Sequence, residues 1–258
     1  MTKNNDLSKI NLDVYTDIAK TTSIQIKPTY ITIHTTGRFS KNSAETYVEG
    51  TKKGLMGSAL PHFYVDENKA INCGHLDRIA YHSGDTKDKT GGNYNSIGIE
   101  CCAGNIYDNQ TKKAIENTAK LTAILCTVYN IPLSNVVTHT YWVNHAENLD
   151  QKDKDKQSTN LVLNKKWCPL YIFRSNNELV AFTNWIAFKH KVSKYMLELS
   201  LDINVDGVAD EKDGVALSRF LAGYKANFDL ARADLNNDDK INEKDVVILS
   251  RWLAGWEI

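Results

Sequence analysis

Apolar and polar positions alternate over the first hundred residues in a way that predicts strands, and they take up a helical period further on. Residues 29–36, TYITIHTT, are rich in β-branched side chains with Ile31 and Ile33 in step, which predicts a strand ending near His34. HFYVDENKAINCG predicts a hairpin, with strands at residues 63–65 and 70–73 around a polar turn at 66–68. In NYNSIGIECCAG, Ile97 and Ile99 alternate, so a third strand carries Glu100 on the face opposite them. NVVTHTYW predicts another strand leading to His139. Residues 112–129 place Ile115, Ala119, Thr122 and Cys126 on one helical stripe, and a second helix is expected over 177–190. The polar, lysine-rich stretch between Trp142 and Trp167 is expected to be a surface loop. Strands mixed with helices in this order predict an α/β domain, assigned to residues 1–192.

Beyond about residue 193 the pattern becomes an internal repeat. DINVDGVADEKDGVALSRFLAGY at 202–224 returns as DLNNDDKINEKDVVILSRWLAGW at 234–256, an offset of 32 residues. Each copy opens with oxygen donors at positions 1, 3, 5, 9 and 12 of a 12-residue loop. They are Asp202, Asn204, Asp206, Asp210 and Asp213 in the first, and Asp234, Asn236, Asp238, Asn242 and Asp245 in the second. Hard oxygen donors at alternating positions wrap one Ca²⁺ per loop, with a backbone carbonyl at position 7, here Val208 and Lys240. Gly207 suits the left-handed turn at position 6, where the second loop has Asp239. A polar turn rich in Asp and Asn is the plainer explanation of either loop alone. Two matched loops, each followed by an amphipathic helix, argue for a small all-α module with two structural Ca²⁺ ions over residues 193–258.

With those loops in view, residues 200–258 resemble the type I dockerin family. Asp rather than Glu closes each loop, and no long helix enters either one, unlike a calmodulin-type hand. The resemblance implies a cohesin domain on a scaffolding protein as partner. It also implies that positions 10 and 11 help select it: Glu211 and Lys212, and Glu243 and Lys244, identical in the two copies. A free-standing calcium sensor is the alternative for this module.

Charge separates the two parts. The chain has 31 basic and 31 acidic residues. From Ser200 onward there are 7 basic and 12 acidic, about −5, which leaves 24 basic and 19 acidic, about +5, for the rest. That excess is too weak to imply nucleic acid, but it suits an anionic polymer such as a cell wall. No apolar run approaches the roughly 18 residues of a membrane span. The start, MTKNNDLSKINLDVY, lacks a secretory pattern. An extracellular or cell-wall location would therefore need a leader already removed, or a route such as phage-type release. The five cysteines, Cys73, Cys101, Cys102, Cys126 and Cys168, form no CxxC pair and do not define a compartment.

Zinc needs nitrogen and sulfur donors with one position left open for water, and the candidates are the seven histidines and Cys168. Singly, each has an ordinary structural explanation: histidines at strand ends bond to backbone, and buried cysteines behave as small apolar residues. The local motifs add more. ITIHTT, SALPHFYVD, AYHSGD, NYNSIGIECC, VVTHTYW and KKWCP follow one another over residues 29–170. In that order they resemble the zinc-dependent N-acetylmuramoyl-L-alanine amidases related to phage endolysins and peptidoglycan recognition proteins.

The resemblance implies a mixed central β-sheet flanked by helices. It implies one catalytic Zn²⁺ on His34, His139 and Cys168, with Glu100 as general base and peptidoglycan as substrate. Lys166, two residues before the cysteine, and His82 in AYHSGD are the implied stabilisers of a developing oxyanion. His62 in PHFYV matches a family position near the cleft, where structural support is expected and substrate contact is the alternative. The chain departs from the family pattern in one respect: 28 residues separate His139 from Cys168, and His145 lies among them as an alternative ligand. A binding module that recognises peptidoglycan without cutting it, attached to the dockerin, is the competing expectation. Retention of Cys168 and Glu100 argues against it.

Overall fold

The structure, a computed structural model, describes residues 1–36, 43–85, 89–143, 154–160, 167–225, 228, 230–236 and 238–256. Its strands are β1 (Thr2–Lys3), β2 (Val14–Thr16), β3 (Tyr30–Thr35), β4 (Phe63–Val65), β5 (Ala70–Asn72), β6 (Ser96–Cys101) and β7 (Val136–Thr138). They form one sheet in the order β1-β2-β5-β4-β6-β3-β7. The pairs β1–β2 and β4–β5 are antiparallel, whereas β2–β5, β4–β6, β6–β3 and β3–β7 are parallel. The expected mixed sheet is therefore present.

β3 lies between two parallel neighbours and is buried on both faces, which is why it reads as an unbroken β-branched run. Ile31 and Ile33 fill one face, while Thr32 and His34 occupy the other and are just as buried. The helices are α1 (Ala44–Lys52), α2 (Gly92–Asn95), α3 (Asn109–Tyr129), α4 (His139–Trp142), α5 (Lys154–Ser158), α6 (Leu170–Phe173) and α7 (Glu178–Leu201).

α3 is capped by Asp108, whose carboxylate accepts from the Thr111 N–H, and it ends at left-handed Asn130. Its buried face includes Ile115, Ala119, Thr122 and Cys126, the expected stripe. α1, which the pattern does not announce, is started by Ser43 and by Asp66, whose Oδ2 accepts from the Ala44 N–H at 2.8 Å. α7 runs to Leu201 rather than stopping at 190, because no glycine or proline intervenes and Val192 and Leu199 continue its buried side.

The stretch between Trp142 and Trp167 is not simply a surface loop where it is described. α5 packs inward, with Ser158 and Thr159 buried. Asp155 accepts from Trp185 Nε1 at 3.0 Å and Lys189 Nζ at 2.7 Å, and the Thr138 hydroxyl donates to the Ser158 carbonyl at 2.7 Å. An acidic residue inside a lysine-rich run concealed an anchoring helix.

The chain divides into two compact units, Met1–Ser8 with Leu12–Ser193, and Lys9–Asn11 with Lys194–Ile258. In the second, α8 (Glu211–Leu221) and α9 (Glu243–Leu253) pack around Leu201, Ile203, Leu217, Ala233 and Leu249. Each helix opens with a capping box, Asp210 with Asp213 and Asn242 with Asp245.

His62 links β6 to the loop after β5. Its Nδ1 accepts from the Gly98 N–H at 2.9 Å and its Nε2–H donates to the Arg78 carbonyl at 3.1 Å. These partners require the neutral ring, and burial pushes its pKa down to about 4. The unfolded chain takes up that proton near pH 6.5, so the His62 contribution is complete above pH 6.5 and is lost as pH falls towards 4. Urea unfolding should show wild-type stability dropping across this window, and the drop should be smaller in His62→Gln.

Candidate metal centre

The parallel strands β6, β3 and β7 end on one edge of the sheet, the usual place for a site in a parallel sheet. His34 is the penultimate residue of β3, and its Cα partner across the ladder is Glu100 of β6. Registered neighbours project to the same face, so the imidazole and the carboxylate share a row with Tyr64 of β4. β7 stops at Thr138, one residue before the expected end. The Thr138 hydroxyl accepts from the Tyr141 N–H, so His139 opens α4 rather than closing a strand.

Cys168 is far away in sequence and is brought back by Thr140. The Thr140 N–H and hydroxyl both donate to the Cys168 carbonyl, at 3.2 and 3.0 Å, and the Cys168 N–H lies 3.4 Å from the same hydroxyl. This clamp fixes the cysteine backbone one residue from His139, whatever the length of chain between them. Pro169 follows through a cis peptide, and α6 starts at the next residue.

The result is a cluster in which His34, His139 and Cys168 each offer a donor atom, all within 4.8 Å of one another. His34 Nδ1 lies 3.1 Å from His139 Nδ1 and 3.7 Å from Cys168 Sγ. Tetrahedral zinc, with Zn–N of about 2.0–2.1 Å and Zn–S of about 2.3 Å, sets donor separations of roughly 3.3 Å for N···N and 3.6 Å for N···S. The donor set and its spacing fit that ion.

The other nitrogen of His34 is also engaged, since Nε2 lies 3.0 Å from His82 Nδ1. Burial, then the neighbouring His62 and His139, hold His82 well below the ordinary histidine pKa. A neutral His82 accepting at Nδ1 would leave the His34 proton on Nε2 and turn a lone pair on Nδ1 towards His139 and Cys168. Behind His82, the Trp142 indole N–H donates to the Thr32 hydroxyl at 2.8 Å. Thr32 lies 2.6 Å from the Ser96 hydroxyl, which donates to the Gly92 carbonyl at 2.8 Å. His82 therefore sits beside the nitrogen of His34 that faces away from the cluster. Lys166 and His145 lie outside the described residues.

Three contributors escape sequence reasoning: Thr140, the Thr32–Ser96–Trp142 chain, and Gly98. The only trace of Thr140 is its place after His139, because its partner is 28 residues away. Gly98 is needed for space, since a Cβ there would stand 2.5 Å from His82 Cγ.

The two 12-residue loops close on themselves in parallel fashion. Asp202 accepts from the N–H groups of Asp206 and Gly207, and Asp234 from those of Asp238 and Asp239. Asp213 accepts from Asn204 and Asp210, and Asp245 from Asn236 and Asn242. Gly207 and Asp239 both take positive φ, 97° and 62°, so the aspartate adopts the turn expected of glycine. Lys212 and Lys244 reach back to Asp206 and Asp238, at 3.4 and 3.3 Å.

Residues 25–170 match the family described as N-acetylmuramoyl-L-alanine amidase, more than half of the 258 residues. The chain belongs to that family. Residues 200–254 match the dockerin type I domain. Similar curated proteins include N-acetylmuramoyl-L-alanine amidase CwlH of Bacillus subtilis (strain 168), 35% identical over 115 residues, 45% of this chain and 45% of the relative. Another is N-acetylmuramoyl-L-alanine amidase XlyA of the same strain, 33% identical over 115 residues, 45% of this chain and 37% of the relative. The chain thus spans less than half the length of these relatives. The catalytic domain of XlyA superposes with a TM-score of 0.52 at 24% identity, covering 70% of this chain and 99% of that one, which shows a shared fold.

Gly98→Ala should force His82 out of place and lower stability by about 1–3 kcal/mol. Denaturant unfolding, with the imidazole NMR signals of His34 and His82 as local reporters, checks this. Unshifted ring signals would contradict the packing described.

Proposed function

We propose that this chain hydrolyses the amide between N-acetylmuramic acid and L-alanine in peptidoglycan, using one zinc on His34, His139 and Cys168. The convergence of those three donors beside Glu100 carries the reading. Zinc held there would supply a Lewis acid that makes water nucleophilic near neutral pH and stabilises charge on the attacked carbonyl. Glu100, in the same row as His34, takes a proton from the attacking water and returns it to the leaving amine. His82 presents its lone pair to His34 and so keeps that ring in the ligand tautomer, a positioning role. Lys166 is assigned to the oxyanion. A module that only binds cell wall has no use for a cysteine clamped beside two histidines, which favours hydrolysis.

We divide the chain functionally into an amidase domain at 1–192 and a dockerin domain at 193–258. The dockerin holds two Ca²⁺ through Asp202, Asn204, Asp206, Val208, Asp210 and Asp213, and through Asp234, Asn236, Asp238, Lys240, Asn242 and Asp245. It tethers the enzyme to a cohesin-bearing scaffold through Glu211, Lys212, Glu243 and Lys244. The place of work is extracellular or at the cell wall. Among the described residues no helix is long and apolar enough to cross a membrane.

Glu100→Gln should keep its zinc yet lower turnover of purified peptidoglycan about 10²–10⁴-fold. Metal analysis together with mass spectrometry of the digest reads both, and turnover at the wild-type rate would remove Glu100 from the reaction. His82→Ala should weaken zinc about 10–100-fold in competition with a chromophoric chelator. In the full chain, chelating calcium should abolish hydrogen-exchange protection of α8 and α9 and leave β3 and β6 protected, because ion binding there is folding free energy. Protection of α8 and α9 that survives calcium removal would refute the calcium assignment.

A further inference from the structure

A pocket of about 320 Å³ opens between the segment after β6 and the segment around α6. Gly104, Asn105 and Tyr107 line one side, and Leu170, Tyr171 and Arg174 the other. Both rims continue from the residues assigned to the chemistry. Gly104 is four residues past Glu100, and Leu170 is two past Cys168, which keeps the Leu170 Cα within roughly 7 Å of the Cys168 Cα.

The pocket carries positive charge in a fixed place. The Arg174 guanidinium stacks on the Tyr107 ring, 3.5 Å from the centroid, and Lys112 Nζ lies 5.2 Å from the same centroid. Arg174 is set by the backbone, since it takes φ 58° at the end of α6 and its N–H donates to the Leu170 carbonyl. Among the described residues neither cation has a carboxylate partner. The nearby Asp108 spends Oδ1 on the α3 cap. A guanidinium held over an aromatic ring keeps the planar N–H fork that grips a carboxylate through two hydrogen bonds.

We infer that this pocket is a carboxylate-binding subsite, with Arg174 as the specificity-determining residue for an acidic group on the stem peptide. The inference rests on the amidase reading above. An extended peptide advances about 3.3–3.6 Å per residue, so a carboxylate lying past Leu170 from the cluster belongs to the residue one or two positions beyond the alanine. Arg174 forks the carboxylate, Tyr107 holds the guanidinium in place, and Lys112 adds long-range attraction.

The test uses the full, zinc-loaded chain and two synthetic muramyl peptides that differ only in whether that carboxylate is free or amidated. Wild type should prefer the free acid about 10–100-fold in kcat/KM, mostly through KM. Arg174→Ala should remove most of this preference, slowing the free-acid substrate far more than the amide. Arg174→Lys should restore only part of it, since charge without the fork is incomplete. Tyr107→Leu, on a different element, should reduce the preference without removing the charge.

Equal turnover of the two substrates by wild type overturns the inference, as does an equal loss on both in Arg174→Ala and Tyr107→Leu. Calorimetry with the sugar-free peptide separates the two claims. Arg174-dependent binding without any turnover would retire the hydrolase reading and leave the subsite standing. Turnover that ignores the carboxylate would do the reverse.

Discussion

A strand buried on both faces can carry a histidine only if both ring nitrogens are satisfied, and the whole site follows from that constraint. β3 is such a strand, and His34 lies 1% exposed within it. A buried imidazole with one idle nitrogen would cost on the order of 1–3 kcal/mol. Here Nε2 is matched by His82, and Nδ1 faces two further donors that an ion can join. What would be a liability in a core becomes one corner of a cluster of three donors that could hold a metal ion. The constraint propagates outward: His82 must stay neutral and close, Gly98 must lack a side chain, and Ser96, Thr32 and Trp142 must pass their hydrogen bonds along the same face.

The long tract between His139 and Cys168 poses the opposite problem, since a ligand delivered from the far end of an insertion pays loop-closure entropy. That cost rises only as the logarithm of length, about 0.6 kcal/mol for each doubling. Three hydrogen-bond contacts from Thr140 to the Cys168 backbone can offset it. Within the tract, α5 is tied down by Asp155 to Trp185 and Lys189. The insertion therefore closes on two fixed points, and neither the fold nor the cluster depends on a short connection.

Features with a local signature were legible in the sequence. The β-branched run of β3, the β4–β5 hairpin, the Ile97/Ile99 alternation and the α3 stripe all appear close to where their periods place them. The two repeated 12-residue loops and the helices after them also read directly from spacing, because their partners lie within one turn of chain. Features built by partners distant in sequence were not legible. α1 starts on a carboxylate from the β4–β5 turn, and α5 is held by residues of α7. Tyr64 joins the row of Glu100 and His34 only through register, which no single strand announces. The Thr140 clamp belongs to the same class.

The two units solve the problem of buried polarity in different ways, and this bears on how each is held together. In the first, Trp142, Thr32 and Ser96 satisfy one another in a chain that ends at the Gly92 carbonyl, and His82 pairs with His34 beside it. In the second, the carboxylates of Asp202, Asp213, Asp234 and Asp245 accept from backbone N–H groups of their own loops. That arrangement gathers negative charge around each loop's centre, while its apolar core is a handful of residues from short helices. Burial raises the Asp213 pKa, so its ionised form is held against a desolvation cost. The second unit thus sets a small apolar core beside concentrated carboxylates, whereas the sheet encloses its polar groups within a larger core. Nitrogen and sulfur donors gather in one unit and carboxylate oxygens in the other, and each set is oriented by hydrogen bonds within its own unit.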